Sequence, residues 1–286
     1  MKKSFLSISP IVATLVTVAS FSAGCTRSAA DKDNPHSYPE EVKSVAEAIV
    51  TDSASAFASA VSYPLERPYP LPAIPDSAAM VKYFPTMVDD SLRNAIGTAP
   101  DSLWGELGWR GWTLQSGEYF WIDAGKIYTM DYVSDREHLL LDSLRQAELA
   151  SLVPSMREGW QPVTCVVDSS KSVVFRIDRY VVNHRDTLPD DSLTYRLAVY
   201  SMENILDSAP TRLLYGHLTP EGSMGNRFYH FGDSAGVTAE YMPDLLPEDS
   251  VPSLEMNLNG TPRAFHTQKS YWLDLVNEAN TRRLAK

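Results

Sequence analysis

Apolar positions along the chain keep a helical period in one stretch and a strand period in the next, and the switches mark its elements. Between Pro39 and Ser62, Val42, Val45, Ile49, Phe57 and Val61 recur at spacings of three, four or eight. They form one stripe of a helix, opened by Pro39 near its first turn with Glu40 and Glu41 at its positive end. Pro64 stops it, and Tyr63-Pro64-Leu65 and Tyr69-Pro70-Leu71-Pro72 read as an extended, proline-punctuated segment. Asp76 caps a second helical stretch carrying Met80, Phe84 and Met87, and Asp90 caps a third with Leu92, Ala95 and Ile96.

From Glu106 to Val133 the period becomes two. Ser116-Gly117 and Ala124-Gly125 are glycine-containing turns between alternating segments, which predicts a three-stranded meander. If both loops have two residues, Trp112 faces Trp121 and Trp121 faces Tyr128. Leu114, Tyr119 and Met130 line up beside them, with Arg110, Asp123 and Lys126 on the other side. All nine then share one face of the sheet. Gly108 and Gly111 predict a bulge or strong bend in the first strand. On the opposite face the same register sets Glu118 against Asp131, a like-charge pair that costs energy unless solvated or neutralised.

Residues 135–159 read as a connecting helix, with Leu139, Leu140, Leu144, Leu149, Leu152 and Met156 and a break at Pro154. Alternation returns at Trp160. Seven short strands run from Pro162–Asp168 to Pro252–Leu258, with turn clusters between them, and suggest a small barrel or sandwich over 160–286. Trp272, Leu275, Val276 and Ala279 allow a short closing helix. The fold class is therefore α+β: helices on a bent antiparallel sheet over 39–134, then a mostly β domain.

Charge and cysteine content narrow the functions. The chain of 286 residues carries a net charge of −11, which argues against nucleic acid and against broad binding to anionic lipid. Of the two cysteines, Cys165 lies between Val163 and Val166-Val167 and reads as a buried strand thiol.

The other cysteine belongs to the leader. Met1-Lys2-Lys3, an apolar run from Phe5 to Phe21 and the small residues Ser22-Ala23-Gly24 form a secretory signal. The run is too short and too rich in Ser and Thr for a membrane span. Ala23-Gly24-Cys25 resembles the lipobox of bacterial lipoproteins, with Ser22 where Leu is usual. The resemblance implies cleavage after Gly24 and lipidation of Cys25. Residues 25–38 are small and polar, a tether between lipid and body. The absence of an acidic cluster behind Cys25 implies, again by resemblance, an outer-membrane protein facing the periplasm.

Helix, Tyr-Pro-Leu strand, two short helices and a bent sheet, carried by Phe57–Leu65, Ile74–Ile96 and Gly105–Val133, resemble the NTF2-like (SnoaL-like) superfamily. In that superfamily the sheet and first helix enclose a conical pocket, which some members use for catalysis and many for binding. The implied pocket is lined by Arg110, Trp112, Tyr119, Trp121, Asp123 and Tyr128, while packing of the same rings as core is the structural alternative. The functional expectation is a binding module for a small molecule, a glycan or a protein partner, tethered to a membrane by its N-terminal lipid. An isomerase or hydrolase using Asp123 or Asp131, and a purely structural envelope protein, are the alternatives.

Other motifs are weaker. Gly232-Asp233-Ser234-Ala235-Gly236 matches G-x-S-x-G, but strands on both sides make it a hairpin turn rather than a nucleophile elbow. Glu221–Asn226 lacks the Lys and the strand-then-helix setting of a phosphate loop. His217 and His230 fall on neighbouring predicted strands, yet the six histidines show no zinc-site spacing, and no cofactor, metal or catalytic residue is assigned. Asp followed by Ser or Thr and a small or aliphatic residue recurs from Asp52 to Asp249. It resembles the O-glycosylation acceptor of Bacteroidota envelope proteins, and also serves as a turn or helix cap.

Overall fold

Helix α1 (Glu40–Val50) buries Val42, Val45, Ala46, Ala48 and Ile49 along the stripe anticipated from spacing. It stops earlier than Pro64. Asp52 adopts φ 58°, a conformation no helix continues through, and a separate short helix α2 (Ala54–Ser59) carries Phe57 into the same core. In the computed structural model the described residues are 38–181, 194–206, 209–221, 226–243 and 253–284. The leader, Cys25 and most of the tether lie outside them. So do most of the Glu221–Asn226 turn and the Asp-Ser/Thr motifs at Asp186, Asp191, Asp207 and Asp249.

Asp76 caps α3 (Ser77–Met87) by accepting from the Ala79 amide at 2.8 Å. The cap of α4 (Asp90–Thr98) is Asp89 rather than Asp90, because Asp89 accepts from Leu92 N at 2.9 Å. Strands β1 (Trp104–Glu106), β2 (Trp112–Leu114), β3 (Phe120–Asp123) and β4 (Lys126–Met130) form a four-stranded antiparallel sheet in chain order. The anticipated bend lies between β1 and β2, where the chain leaves the sheet over Gly108–Arg110. At Gly111 φ is 78°, and a Cβ would stand 2.2 Å from the Ile122 carbonyl oxygen, so only glycine allows β2 to approach β3 there.

The register of this sheet differs from the sequence expectation by one residue. Gln115–Gly117 form a 3-10 turn, with φ 51° at Gln115 and 105° at Gly117, so the loop is longer than two residues. Trp112 therefore pairs with Ile122, and Thr113 with Trp121. A one-residue slip moves a side chain to the other face, and Trp112 and Trp121 point to opposite sides. The second loop is the two-residue turn expected: Ala124 and Gly125 both have positive φ, and Asp123 pairs with Lys126. An irregularity between Trp121 and Ile122 then sets Trp121 against Thr129 instead of Tyr128. Asp131 donates its amide to the Tyr119 carbonyl, so Asp131 lies opposite Tyr119, and the expected Glu118–Asp131 opposition is absent.

The inner face of the sheet, with Trp104, Leu114, Phe120, Ile122, Ile127 and Met130, packs on α1–α4. Phe57, Met80, Phe84 and Met87 fill the space between. An open cone between sheet and first helix is thus replaced by packed core.

Helix α5 (Asp135–Ser151) opens with a capping box in which Ser134 and Glu137 satisfy each other's backbone amides. A 3-10 turn at Pro154–Met156 follows, at the break proline predicted. Nine strands then make one antiparallel sheet: β5 (Trp160–Asp168), β6 (Val173–Tyr180), β7 (Tyr195–Ser201), β8 (Arg212–Glu221), β9 (Asn226–Gly232), β10 (Thr238–Tyr241), β11 (Leu254–Leu258), β12 (Thr261–Phe265) and β13 (Thr267–Ser270). The last two were not anticipated from alternation. Residues β5–β11 pair as a simple meander; β12 pairs with β11 and β13 with β5. Because only His266 separates β12 from β13, one bent strand brings the two ends of the order together and the sheet curls into a nearly closed barrel.

Phe175, Ile177, Leu197, Leu214, Tyr229 and Phe231 fill its interior. The outer face of β5–β7 packs instead against α5 and the closing helix α6 (Trp272–Leu284) through Cys165, Val174, Ala198, Tyr200, Leu152 and Trp272. No helix among the described residues is long and apolar enough to cross a membrane.

Candidate functional site

Two buried ion-pair systems tie the Tyr-Pro segment to the rest of the chain. The Arg67 guanidinium donates Nε to Glu137 Oε1 at 2.9 Å and Nη2 to Oε2 at 2.7 Å. Its remaining donors reach the carbonyls of Met130 at 2.5 Å and Tyr132 at 2.7 Å. Both side chains are fully buried, and this fork satisfies the charge it buries.

Tyr69 begins the second system, donating its hydroxyl to Glu148 Oε1 at 2.7 Å. Arg176 binds Glu148 at 2.7 Å through Nη1 and Asp178 at 2.8 Å through Nε. Arg196 completes the chain, with Nε on Asp178 at 2.8 Å and Nη2 on the Met156 carbonyl at 2.6 Å. Burial pushes the Glu148 carboxyl above its ordinary range, against the pull of Arg176 and the Tyr69 hydroxyl. Burial likewise raises the Tyr69 hydroxyl and the Cys165 thiol, so Cys165 is the inert strand thiol expected.

Between these systems lies a cavity of about 950 Å³. Three consecutive stretches wall it, Glu66–Tyr69, Thr129–Asp131 and His266–Lys269, and the barrel adds Val163, Thr164, Val166, Arg227, Tyr229 and Tyr241. Its lining mixes polar and apolar side chains. Tyr69, Tyr229 and Tyr241 form a buried floor, while Glu66, Asp131, Arg227, His266, Gln268 and Lys269 are exposed. Lys269 pairs with Glu66 across the rim. Desolvation by the surrounding wall raises the Asp131 carboxyl, opposed by a hydrogen bond from the Trp121 side chain and by the Arg67 charge.

The six side chains picked out from the sequence separate into two groups. Trp112 and Tyr119 pack against the helical core. Arg110, Trp121 and Tyr128 come together away from it: the Arg110 guanidinium lies 5.7 Å from the Trp121 ring centroid, and the Tyr128 hydroxyl donates to the Arg110 carbonyl at 2.7 Å. Asp123 is close enough to raise the Tyr128 hydroxyl further, after desolvation. None of the six lines the cavity. Trp121 and Tyr119 are tied to it through Asp131, which accepts from the Trp121 side chain and donates its amide to the Tyr119 carbonyl. Trp121 is the more enclosed. It is 9% exposed and lies over Gly117, where a Cβ would stand 2.6 Å from its ring.

The motifs set aside on sequence grounds behave as turns and surface pairs. Gly232–Gly236 links β9 to β10, with Asp233 accepting from the amides of Ala235 and Val237 and from Arg212. His217 pairs with His230 across β8 and β9, rings stacked at 5.5 Å. Among the described residues no group of three His, Cys, Asp or Glu side chains has the geometry to hold a metal ion. The cavity itself was not legible, because its walls come from segments up to 203 residues apart, such as Glu66 and Lys269.

Comparison with known protein families, curated proteins and solved structures finds no match.

Proposed function

We propose that this chain is a lipid-anchored envelope protein facing the periplasm, whose folded body is a binding module. The anchoring part rests on the leader and the Ala23-Gly24-Cys25 sequence. The NTF2-like reading of residues 39–134 rests on element order: helix, Tyr-Pro-Leu stretch, two short helices and a bent sheet.

The observation that carries the binding role is the cavity. At about 950 Å³ it falls within the range of ligand sites, roughly 300–1,000 Å³. It sits at the end of a small barrel, a preferred place for such sites. Protein purified from its own envelope should retain a bound species under native mass spectrometry. A Thr129→Trp variant, which fills the cavity from β4, should lose it while melting normally. Retention of that species by the variant would sink the reading. Anchoring is tested separately: Cys25→Ala should shift exported protein from the membrane to the soluble fraction after a carbonate wash.

Asp131 favours a second, catalytic reading, since a carboxyl raised by its surroundings and open to a cavity suits general acid–base work. Asp131→Asn would then abolish turnover of a bound substrate but leave its binding in place.

A further inference from the structure

The outer face of the barrel carries a gap beside an exposed aromatic ring. Leu214, Leu218, Tyr229, Phe231, Ala239 and Tyr241 of β8, β9 and β10 fill the interior. Alternation then turns Tyr215, His217, His230, Gly232, Thr238 and Glu240 outward. On that face Tyr215 pairs with Gly232, and Gly232 with Thr238. Glycine adds no side chain, and a Cβ built there would meet nothing nearer than 3.7 Å. A slot one strand wide thus lies between Tyr215 and Thr238, whose strands stand roughly 9–10 Å apart, two strand spacings.

Tyr215 is braced on one side and open on the other. Toward β7 its ring meets Trp160, with centroids 6.0 Å apart. Trp160 in turn lies 4.3 Å from the buried Arg196 guanidinium and holds the Tyr180 ring at 5.1 Å. Toward β9 the cross-strand neighbour of Tyr215 is Gly232, and the tyrosine is 49% exposed. His217, Thr238 and Glu240 around the slot are exposed as well. The nearby charges are met within the protein. Arg196 pairs with Asp178 at 2.8 Å, Arg212 with Asp233 at 2.8 Å, and Glu240 stands 3.5 Å from His230 Nδ1.

We infer that this slot is a binding site separate from the cavity, and that it takes one ring of a neutral saccharide against Tyr215. The C–H face of a sugar ring is weakly positive and suits the negative face of an aromatic ring. Its hydroxyls suit the groups around the slot: the Thr238 hydroxyl and the His217 imidazole donate and accept, and the Glu240 carboxylate accepts. A planar aromatic ligand would leave those groups unused. An acidic ligand would approach a chain of net charge −11 at a place where the cations already have carboxylate partners. A basic ligand would find Glu240 already beside His230. None of Tyr215, Gly232, Thr238 or Glu240 borders the cavity, so the inference does not rest on what the cavity does.

An array of immobilised neutral, acidic and amino-sugar glycans tests this, with calorimetry on the strongest one. Neutral glycans should dominate the array. Tyr215→Ala should weaken binding about tenfold or more, as loss of one stacked ring typically does. Tyr215→Phe keeps the ring and should keep most of the affinity. Gly232 lies outside the positive-φ residues, so Gly232→Leu should melt like the parent while filling the slot and abolishing binding. Thr129→Trp, which fills the cavity instead, should leave saccharide affinity unchanged. A blank array, a preference for acidic or amino-sugar glycans, or affinity indifferent to Gly232→Leu would overturn the proposal. So would affinity lost in Thr129→Trp and kept in Tyr215→Ala, since the saccharide would then belong to the cavity.

Discussion

Asp131 and Asp89 are displaced in opposite directions by their surroundings. At Asp89 burial pushes upward, but hydrogen bonds from the Tyr132 hydroxyl and from the amides of Leu92, Asp135 and Ser91 outweigh it and hold the carboxyl below 3.8. Its stabilising contribution is present above the unfolded value and is lost as pH falls through the folded one. At Asp131 desolvation wins and the carboxyl is raised above 3.8. The folded state then holds its proton longer, so stability declines as pH rises through that window. Melting temperatures followed from pH 3 to 7 should therefore show Asp89→Asn falling further below the parent as pH rises, and Asp131→Asn gaining on it. Parallel curves would refute both assignments. Trp121 belongs to the same scale. A ring 9% exposed that covers Gly117 is structural, and Trp121→Ala should cost about 3–5 kcal/mol by chemical denaturation. A loss under about 1 kcal/mol would mark the ring as a surface group instead.

The elements owe their placement to buried charge as much as to apolar periodicity. Ser134 and Glu137 form the capping box of α5, and Glu137 also receives the Arg67 fork. One residue thus caps a helix and fixes the Tyr-Pro segment that walls the cavity. Removing one member strands the other in the interior, so Arg67→Met should destabilise by roughly 3–5 kcal/mol, and Arg67→Met with Glu137→Leu by less. Equal losses for the single and double variants in urea unfolding would show the pair to be dispensable. The sheet register belongs here too. A cysteine pair at Thr113 and Trp121 should cross-link across β2 and β3, whereas Thr113 with Phe120 should not. The sequence contains the alternation of β2 and β3, but the loop between them is decided by Gln115 entering a positive-φ conformation. That choice follows from how the Trp121 ring packs on Gly117 and cannot be read from alternation.

Across the whole molecule the two sheets are not independent. Tyr69 and Tyr271 stack at 5.9 Å, the Trp272 amide donates to the Tyr69 hydroxyl, and the Ala73 amide donates to Tyr271. Glu148 joins that contact to Arg176 inside the second sheet. We expect a single cooperative transition for residues 38–286 in calorimetry. Glu148→Gln should lower its midpoint without splitting it, since the residue belongs to both halves. Two resolved transitions would mean that the halves fold apart.

What the sequence determined by itself is what depends on near neighbours in the chain. The amphipathic stripe of α1, the Asp76 cap, the Ala124-Gly125 turn, the break at Pro154, the hairpin at Gly232–Gly236 and the alternation within β5–β11 all follow from local steric and hydrogen-bonding preferences. Tertiary structure decided what depends on distant segments meeting. It split the first helix at Asp52, slipped the small sheet by one residue, and sent Trp112 and Trp121 to opposite faces. It also bent the strand around His266 so that the barrel nearly closes. The cavity is the clearest case. Glu66, Asp131 and Lys269 carry no shared local pattern, and only the meeting of distant segments makes them a site.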